Sequence, residues 1–405
     1  MKEEHPEARS IVDKLKDNGY TAYYAGGWVR DYLLEYPSDD IDIATDAPPE
    51  VLQNLFEKTV PIGIAFGIIL VLIEEKQFEV ATFRADLEYK DGRRPTKIAF
   101  TSAEEDAKRR DFTINGMFYD PIKDEIIDLV GGKEDLKKKI IKAIGNAHER
   151  IQEDRLRMIR AIRLSCKFGF EIEEKTRKAI HAHSKELFPA VAIERVVQEF
   201  RKMATHPHFK EALLIMDDLD LLKEVFPDLS SLSHSDLEKR LEHLPDFPRK
   251  MPIIAYLLEL FPAITLDKTI QLCKYLKLSK QEISCAQFLH YSHTLFTKDN
   301  PENFEWAYFY TNSFSTFALS IQAAHLPIEK RPDFEEEHEK RVEMLLLFIT
   351  RIKENKPVVT SSHLIKAGVK PGKEMGALLA EAEKISINEM IEDPEKIIQK
   401  LNLKK

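Results

Sequence analysis

Two aspartates, Asp40 and Asp42, stand one residue apart in the segment Asp40-Ile41-Asp42-Ile43. Residues i and i+2 of a strand point to the same face, so the alternation predicts both carboxylates on one side and Ile41 and Ile43 in the core behind them. Two carboxylates this close repel each other, and leaving both buried and unpaired would be costly. Magnesium relieves that repulsion and suits hard oxygen ligands, phosphate oxygens among them; manganese is the alternative ion. Two ions so held would activate an attacking 3′ hydroxyl and stabilise a leaving pyrophosphate. Upstream, Ala25-Gly26-Gly27 precedes a helix start, where backbone N–H groups can approach phosphates closely. Arg30, one turn further, can pair with a phosphate oxygen. A lone carboxylate pair or a lone glycine pair is common. Joined in this order and spacing, they point to metal-dependent nucleotidyl transfer.

The elements that must position these residues are short. Residues 1 to about 19 read as an amphipathic helix closed by Gly19. Ala22–Ala25 reads as a strand, Trp28–Leu34 as a helix start, and Ile41–Ala44 as a strand. Ile68–Ile73 is a continuous apolar run and Phe78–Phe83 alternates, which predicts a strand pair joined near Lys76. Lys90 to Pro95 is a basic, turn-rich loop, and Ile98–Phe100 a further short strand. Beyond about residue 145 strand signals nearly vanish, and helical periodicities punctuated by prolines run to the C-terminus. The expected architecture is α+β: a mixed-sheet head over residues 1–140, then a helical neck (141–205), body (206–300) and tail (301–405).

Three further motifs accompany the carboxylate pair: Arg109-Arg110-Asp111-Phe112-Thr113-Ile114-Asn115, Glu153-Asp154-Arg155-Leu156-Arg157, and Glu194-Arg195 with Glu199-Phe200. Together with Tyr24-Ala25-Gly26-Gly27-Trp28-Val29-Arg30-Asp31, Asp40 and Asp42, they give a sequence that resembles the bacterial class II tRNA nucleotidyltransferases. These are the CCA-adding enzymes and the related bacterial poly(A) polymerases, of the polymerase-β-like superfamily. The resemblance is strong over about residues 20–205 and weak beyond.

The resemblance implies a polymerase-β-like nucleotidyltransferase head on an all-helical neck, body and tail, with Asp40 and Asp42 carrying the metals. Glu79 is a candidate acidic helper, with an ion-paired strand carboxylate as its alternative. Arg110 and Asp111 are implied to meet the phosphates and sugar of the incoming nucleotide. A guanidinium is a fixed cation for phosphate, and a carboxylate accepts from ribose hydroxyls. Asp154 and Arg157, at i and i+3, are expected to share one helix face. There a carboxylate can accept from the exocyclic amine of cytosine or adenine while a guanidinium donates to a ring acceptor. Guanine and uracil present the opposite pattern, so one such pair accepts CTP and ATP and rejects GTP and UTP. Glu153, Arg160 and Arg163 support that pair. Arg84 and the loop Asp86–Pro95, with Asp91, Gly92, Arg93 and Arg94, resemble the flexible loop implied to help switch specificity from C to A. Glu194, Arg195, Glu199 and Phe200 are read as structural support for the neck.

The implied activity is template-independent CCA addition to tRNA. An A-adding enzyme or poly(A) polymerase is the alternative, and a non-catalytic RNA-binding scaffold is a third reading from another class. The net charge of −9 argues against polyanion binding over the whole surface, but a local basic stripe suffices. Lys137, Lys138, Lys139, Lys142, Arg150, Arg155, Arg160 and Arg163 supply one. The three cysteines, Cys166, Cys273 and Cys285, lack metal or disulfide spacing and read as buried thiols. His181, His183, His206 and His208 form two His-x-His pairs with no evident carboxylate partners. No apolar run approaches the roughly 20 residues that span a bilayer, and the N-terminus has no signal-peptide pattern. The expectation is a cytoplasmic protein without membrane contact, either a monomer or a homodimer.

Overall fold

The computed structural model of the protein describes residues 5–89 and 95–401. Two units divide the chain, Met1–Lys239 and Arg240–Lys405. The first opens with α1 (Pro6–Asp17), which has a proline in its first turn and buries Ile11, Val12 and Leu15. It stops before Gly19, whose φ of +83° suits glycine. There follow β1 (Ala22–Ala25), α2 (Gly27–Leu33), β2 (Asp42–Thr45), α3 (Pro49–Leu55), β3 (Thr59–Gly63), β4 (Ile68–Ile73) and β5 (Lys76–Thr82). Next come β6 (Arg84–Tyr89), β7 (Pro95–Phe100), α4 (Ala103–Lys108), β8 (Phe118–Asp120), β9 (Glu125–Ile127) and α5 (Gly132–Lys138).

Seven of these strands form one sheet in the order β3-β4-β5-β2-β1-β8-β9 among the described residues. The sheet is mixed, as expected: β2 runs parallel to β5 and antiparallel to β1. The β4–β5 hairpin turns just before Lys76, at Glu74, where the sequence pattern puts it. Ala25, Ala44, Phe83, Ala107 and Phe118 pack as one buried cluster beneath the centre.

The segment from Asp86 to Pro95, expected as a loop, is strand at its described ends. Arg84–Tyr89 pairs with Pro95–Phe100 as an antiparallel hairpin, because cross-strand hydrogen bonds outweigh a composition that reads as turn. Asp91, Gly92, Arg93 and Arg94 lie outside the described residues. The expectation of an all-helical neck also needs one correction. β10 (Ile140–Ile141) pairs with β11 (Glu171–Ile172) on either side of α6 (Ala147–Glu153) and α7 (Leu156–Phe168).

Thereafter α8 (Glu174–His183), α9 (Ile193–Ala204), α10 (Phe209–Asp218), α11 (Leu221–Val225) and α12 (His234–Arg240) complete the helical part. α7 buries Met158, Ile159, Ala161 and Ile162, and it packs on α9 and α10. The cationic residues Arg157, Arg160, Arg163 and Lys167, spaced 3, 3 and 4, form its remaining stripe. The second unit is built of helices from Ile253–Leu257 to Pro394–Lys400. The three cysteines are buried, as expected. Among the described residues, no helix is long and apolar enough to cross a membrane.

Two consequences can be measured. A Cβ on Gly132 would lie 2.4 Å from the Thr113 carbonyl oxygen and 2.8 Å from the Met117 side chain. Since one of those neighbours is backbone, Gly132→Ala is expected to cost about 2–3 kcal/mol, read as a lowered urea midpoint. In the second unit His338 is buried and hydrogen-bonded at 2.6 Å to the Tyr310 hydroxyl. Burial, then the neighbouring Arg341, pushes its imidazole down to about 4. The neutral ring's contribution is present above the unfolded value near 6.5 and is lost as pH falls through about 4, at most about 3 kcal/mol. Urea midpoints are expected to fall between pH 7 and pH 5, and His338→Gln to flatten that fall.

Candidate functional site

A cleft of about 680 Å³ opens in the first unit. One wall is the C-terminal end of β1 and the start of β2. Asp40 stands just before β2 rather than within it, yet Ile41 and Ile43 are both buried and Asp40 and Asp42 both line the cleft. The parallel register Ile43↔Val80 sets Glu79 beside Asp42. The Asp42 carboxyl is pushed up to about 6, first by the desolvating walls around it, then by repulsion from Asp40 and Glu79, against the pull of Arg110. The residue nonetheless keeps contact with solvent through the open cleft. Gly26 faces this wall with φ +70°, and a Cβ there would sit 3.1 Å from Arg110 Nη1 and 3.6 Å from Asp42 Oδ2. Glycine is therefore required for both its backbone and its bareness.

Behind the wall lies a set of committed ion pairs. Buried Asp106 accepts from Arg109 (2.9 and 2.7 Å) and from Arg110 (3.2 and 3.1 Å). The Arg110 guanidinium also rests 5.0 Å from the centre of the Phe118 ring. Asp111 accepts on Oδ1 from its neighbour's Phe112 N–H (2.8 Å) and from Asn115 Nδ2 (3.0 Å). On Oδ2 it accepts from Arg160 Nε (2.9 Å) and Nη2 (2.5 Å). Burial alone would raise its carboxyl, but Arg160 and the Asn115 amide outweigh that and hold it well below the usual range. Arg30 is buried beneath Gly27, donating to Asp31 (2.9 Å) and Asn115 (2.5 Å) and stacking on Phe168.

The opposite wall departs from the sequence reading. Asp154 and Arg157 do not share a helix face. α6 ends at Glu153, and Asp154 is extended (φ −146°, ψ 105°). Its Oδ1 accepts the Leu156 N–H at 3.0 Å, and this local carboxylate bond competes with helix continuation. Asp154 pairs with Arg195 of α9 (3.0 and 3.4 Å) instead of Arg157. Arg157, in the first turn of α7, is held by Glu153 (2.6 Å), the Arg150 carbonyl (2.8 Å) and the Arg109 carbonyl (3.1 Å). Asp154 and Arg157 still both line the cleft, while Glu153 stands behind them.

Gly26, Gly27, Arg30, Asp40, Asp42, Glu79, Arg84, Arg110, Asp111, Asp154, Arg157, Arg160 and Arg163 therefore share one cleft. Sequence reasoning missed Lys167, Lys202 and Asn115 there, and Asp106 behind it. Lys167 was within reach, since it continues the Arg157-Arg160-Arg163 spacing; nothing local marks Lys202. Nine cationic and six acidic side chains line the cleft, so it is locally positive on a chain of net charge −9. Of the wider basic stripe, Lys138 pairs with Glu134, Arg150 with Glu153 and Arg155 with Glu186. Two of the four histidines do have carboxylate partners: His181 meets Asp220 and His183 meets Glu186, and His183 also meets His148.

A mixed sheet bearing crowded carboxylates against a cationic helix, with a glycine pair between them, defines a nucleotidyltransferase. Residues 22–142 match the family model of the poly A polymerase head domain, and residues 169–232 match a probable RNA and SrmB-binding site of polymerase A. A CCA-adding enzyme of Lactobacillus helveticus is 31% identical over 400 residues, covering 97% of this chain and 96% of that protein. One from Bacillus cytotoxicus is 46% identical over 207 residues, 51% of this chain and 52% of that protein; this alignment spans about half of the relative's length. The Bacillus stearothermophilus CCA-adding enzyme, solved in complex with CTP, superposes over 98% of both chains with TM-score 0.81 and 27% identity. The chain belongs to the family of CCA-adding enzymes.

The opposed electrostatics of two aspartates in one cleft can be tested without a substrate. Ionised Asp42 is destabilising in the fold, because its folded value lies above the unfolded one; the penalty grows as pH rises from about 4 through about 6. Asp42→Asn is expected to stabilise by about 1 kcal/mol at pH 7.5, after discounting for its solvent contact, and by nothing at pH 4. Asp111→Asn strands the Arg160 charge and is expected to cost about 3 kcal/mol at pH 7.5. Urea titrations at both pH values read the two signs.

Proposed function

We propose that the chain adds C, C and A in turn to the 3′ end of tRNA from CTP and ATP, without a nucleic-acid template and with release of pyrophosphate. The observation that carries this is the single cleft with Asp40, Asp42 and Glu79 on one wall and Asp154 and Arg157 on the other. The names of the relatives, one matched over its full length and one over about half, support the same reading. Within it, residues 1–140 are the catalytic head, 141–205 the base-selecting neck, and 206–300 and 301–405 a helical body and an RNA-gripping tail. We place the protein in the cytoplasm with its tRNA.

The donor set fits magnesium, with manganese as a substitute: hard carboxylate oxygens, crowded enough to push Asp42 up, are what a divalent cation relieves. Among the described residues no three His, Cys, Asp or Glu side chains converge as a ligand set. Asp40 and Asp42 would hold the metal, with triphosphate oxygens completing its shell and Glu79 adding negative field. When bound, the metal supplies hydroxyl activation and charge neutralisation at the leaving pyrophosphate.

The chain's own residues do the rest. Gly26 and Gly27 let the triphosphate approach the backbone. Arg110, fixed by Asp106, meets its charge. Asp111 and Arg160 lock to each other, and Asp111 turns its edge to the sugar. Arg30 supports the glycine turn from below. Asp154, oriented by Arg195, accepts from the exocyclic amine of cytosine or adenine, and Arg157, oriented by Glu153, donates to the adjacent ring nitrogen. Arg163, tied to Glu199 at 2.5 Å, backs that wall. Arg84, at the start of β6, together with Asp91, Gly92, Arg93 and Arg94, assists the change from C to A.

A second reading, addition of A alone, draws on the match of the head to the poly A polymerase model. Nucleotide incorporation separates the two on transcripts lacking CCA or ending in CC, offered CTP, ATP or both. Expected is C, C and then one A on the first transcript. One A on the CC-ended transcript only, or a long A tail, overturns the main reading. Asp40→Ala with Asp42→Ala is expected to abolish incorporation. Asp154→Ala is expected to lose about tenfold or more of the preference for CTP over UTP.

A further inference from the structure

From Thr59 to Ile73 the chain runs fifteen residues without a charged side chain, although charged residues make up 32% of it. Part of this run is core: Ile69 and Val71 are fully buried. Another part is open to solvent. Val60 is 44% exposed, Ile62 52% and Ile64 47%, and Phe100 of β7 is 51% exposed. Apolar side chains scattered singly over a surface need no explanation, whereas a contiguous group marks a contact.

Val60, Ile62 and Ile64 follow one another along β3 and the short turn after it, and the end of that turn, Gly67, lies against Phe100. Gly67, at φ +73°, turns so tightly beneath Phe100 that a Cβ would lie 2.9 Å from its ring and 3.3 Å from Thr82 Cβ. Thr82 donates its N–H to the Gly67 carbonyl at 2.8 Å, which fixes the turn to β5. On the other side Arg84 donates to the Phe66 carbonyl, and its guanidinium lies 5.6 Å from the centre of the Phe66 ring. Arg84 and Ile68 in turn line the cleft, and Ile68 pairs with Ala81 two residues beyond Glu79. The apolar rim thus begins where the carboxylate wall ends.

The proposed reaction needs two nucleic-acid components at the carboxylates. The incoming nucleotide is read on the helical wall at Asp154 and Arg157. With the helical wall taken by that nucleotide, the sheet side, past β5 and β4, is the approach left to the attacking 3′ hydroxyl on this reading. Its terminal base also changes from one addition to the next, so hydrogen-bond readout of that base would block the cycle. Stacking tolerates the change, because every base has a π-face. We infer that Val60, Ile62, Ile64 and Phe100 form a stacking platform for the unpaired 3′-terminal bases of the RNA that receives the nucleotide. The inference rests on the transfer activity proposed above.

The test uses the full chain and a tRNA transcript lacking CCA whose last base is 2-aminopurine, a fluorophore quenched on stacking. Anisotropy of a label placed away from that end reports binding separately. The wild type is expected to bind and quench. Phe100→Ala is expected to bind with most of the quench lost, and with KM for RNA raised about tenfold and KM for CTP far less affected. Phe100→Trp is expected to restore both, and Ile62→Ser to give a smaller loss. Equal quenching by wild type, Phe100→Ala and Ile62→Ser overturns the platform. So does a wild-type dimer in sedimentation that these variants dissociate, since the rim would then be a contact between copies, and so does failure of the wild type to bind the RNA. A wild type that binds and quenches but incorporates nothing overturns the transfer reading alone.

Discussion

The parallel pairing of β2 with β5 brings Asp42 and Glu79 side by side at the edge of the cleft, with Asp40 two residues before the strand. A fold that crowds three carboxylates must manage their repulsion. The sheet does so by register: Ile41, Ile43 and Val80 are buried, so the strands cannot slip and separate the charges without exposing a core face. Much of what surrounds the wall answers this one constraint. Arg110 lowers the repulsion from one side. Gly26 leaves the space between Arg110 and Asp42 empty of side chain.

Three aspartates near one another are treated in opposite ways. Asp42 is pushed up, while Asp106 and Asp111 are held below the usual range although both are more deeply set. The difference lies in partners. Asp106 has two guanidinium groups, and Asp111 has a guanidinium, an amide and a backbone N–H. Paired carboxylates of this kind are fixed in place and serve as struts. A carboxylate surrounded mainly by its own sign is poised for a cation from outside. Environments that push like groups apart in this way separate the reactive residues from those that hold them.

The head's centre was legible because its signals are local. Alternation at 41–43 places side chains on faces of a strand, and the glycine pair before a helix marks a turn that tolerates no Cβ. The strands β3, β8 and β9 gave little signal. They are short, β3 contains Pro61, and their pairing is decided by neighbours distant in sequence. Asp154 shows the other kind of miss. Spacing i, i+3 is compatible with a helix, but a carboxylate that captures the N–H two residues on ends one instead. The sequence has no local mark for the choice, since the deciding partner, Arg195, is 41 residues away.

That partner changes what the Glu194-Arg195…Glu199 segment does. Arg195 and Glu199 are four apart, hence on one face of α9. From it Arg195 reaches Asp154, and Glu199 reaches Arg163 of α7 at 2.5 Å. Each pair joins opposite charges that are partly buried, where loss of one member leaves the other short of its partner. α9 therefore fixes a residue beyond each end of the first two turns of α7, with Arg157 and Arg160 between them. A base-reading carboxylate needs a fixed direction more than it needs strength, since a rotated carboxylate accepts from a different edge. Under the proposed function, support for the neck and choice of base are one role, exerted through two ion pairs on a single helix face.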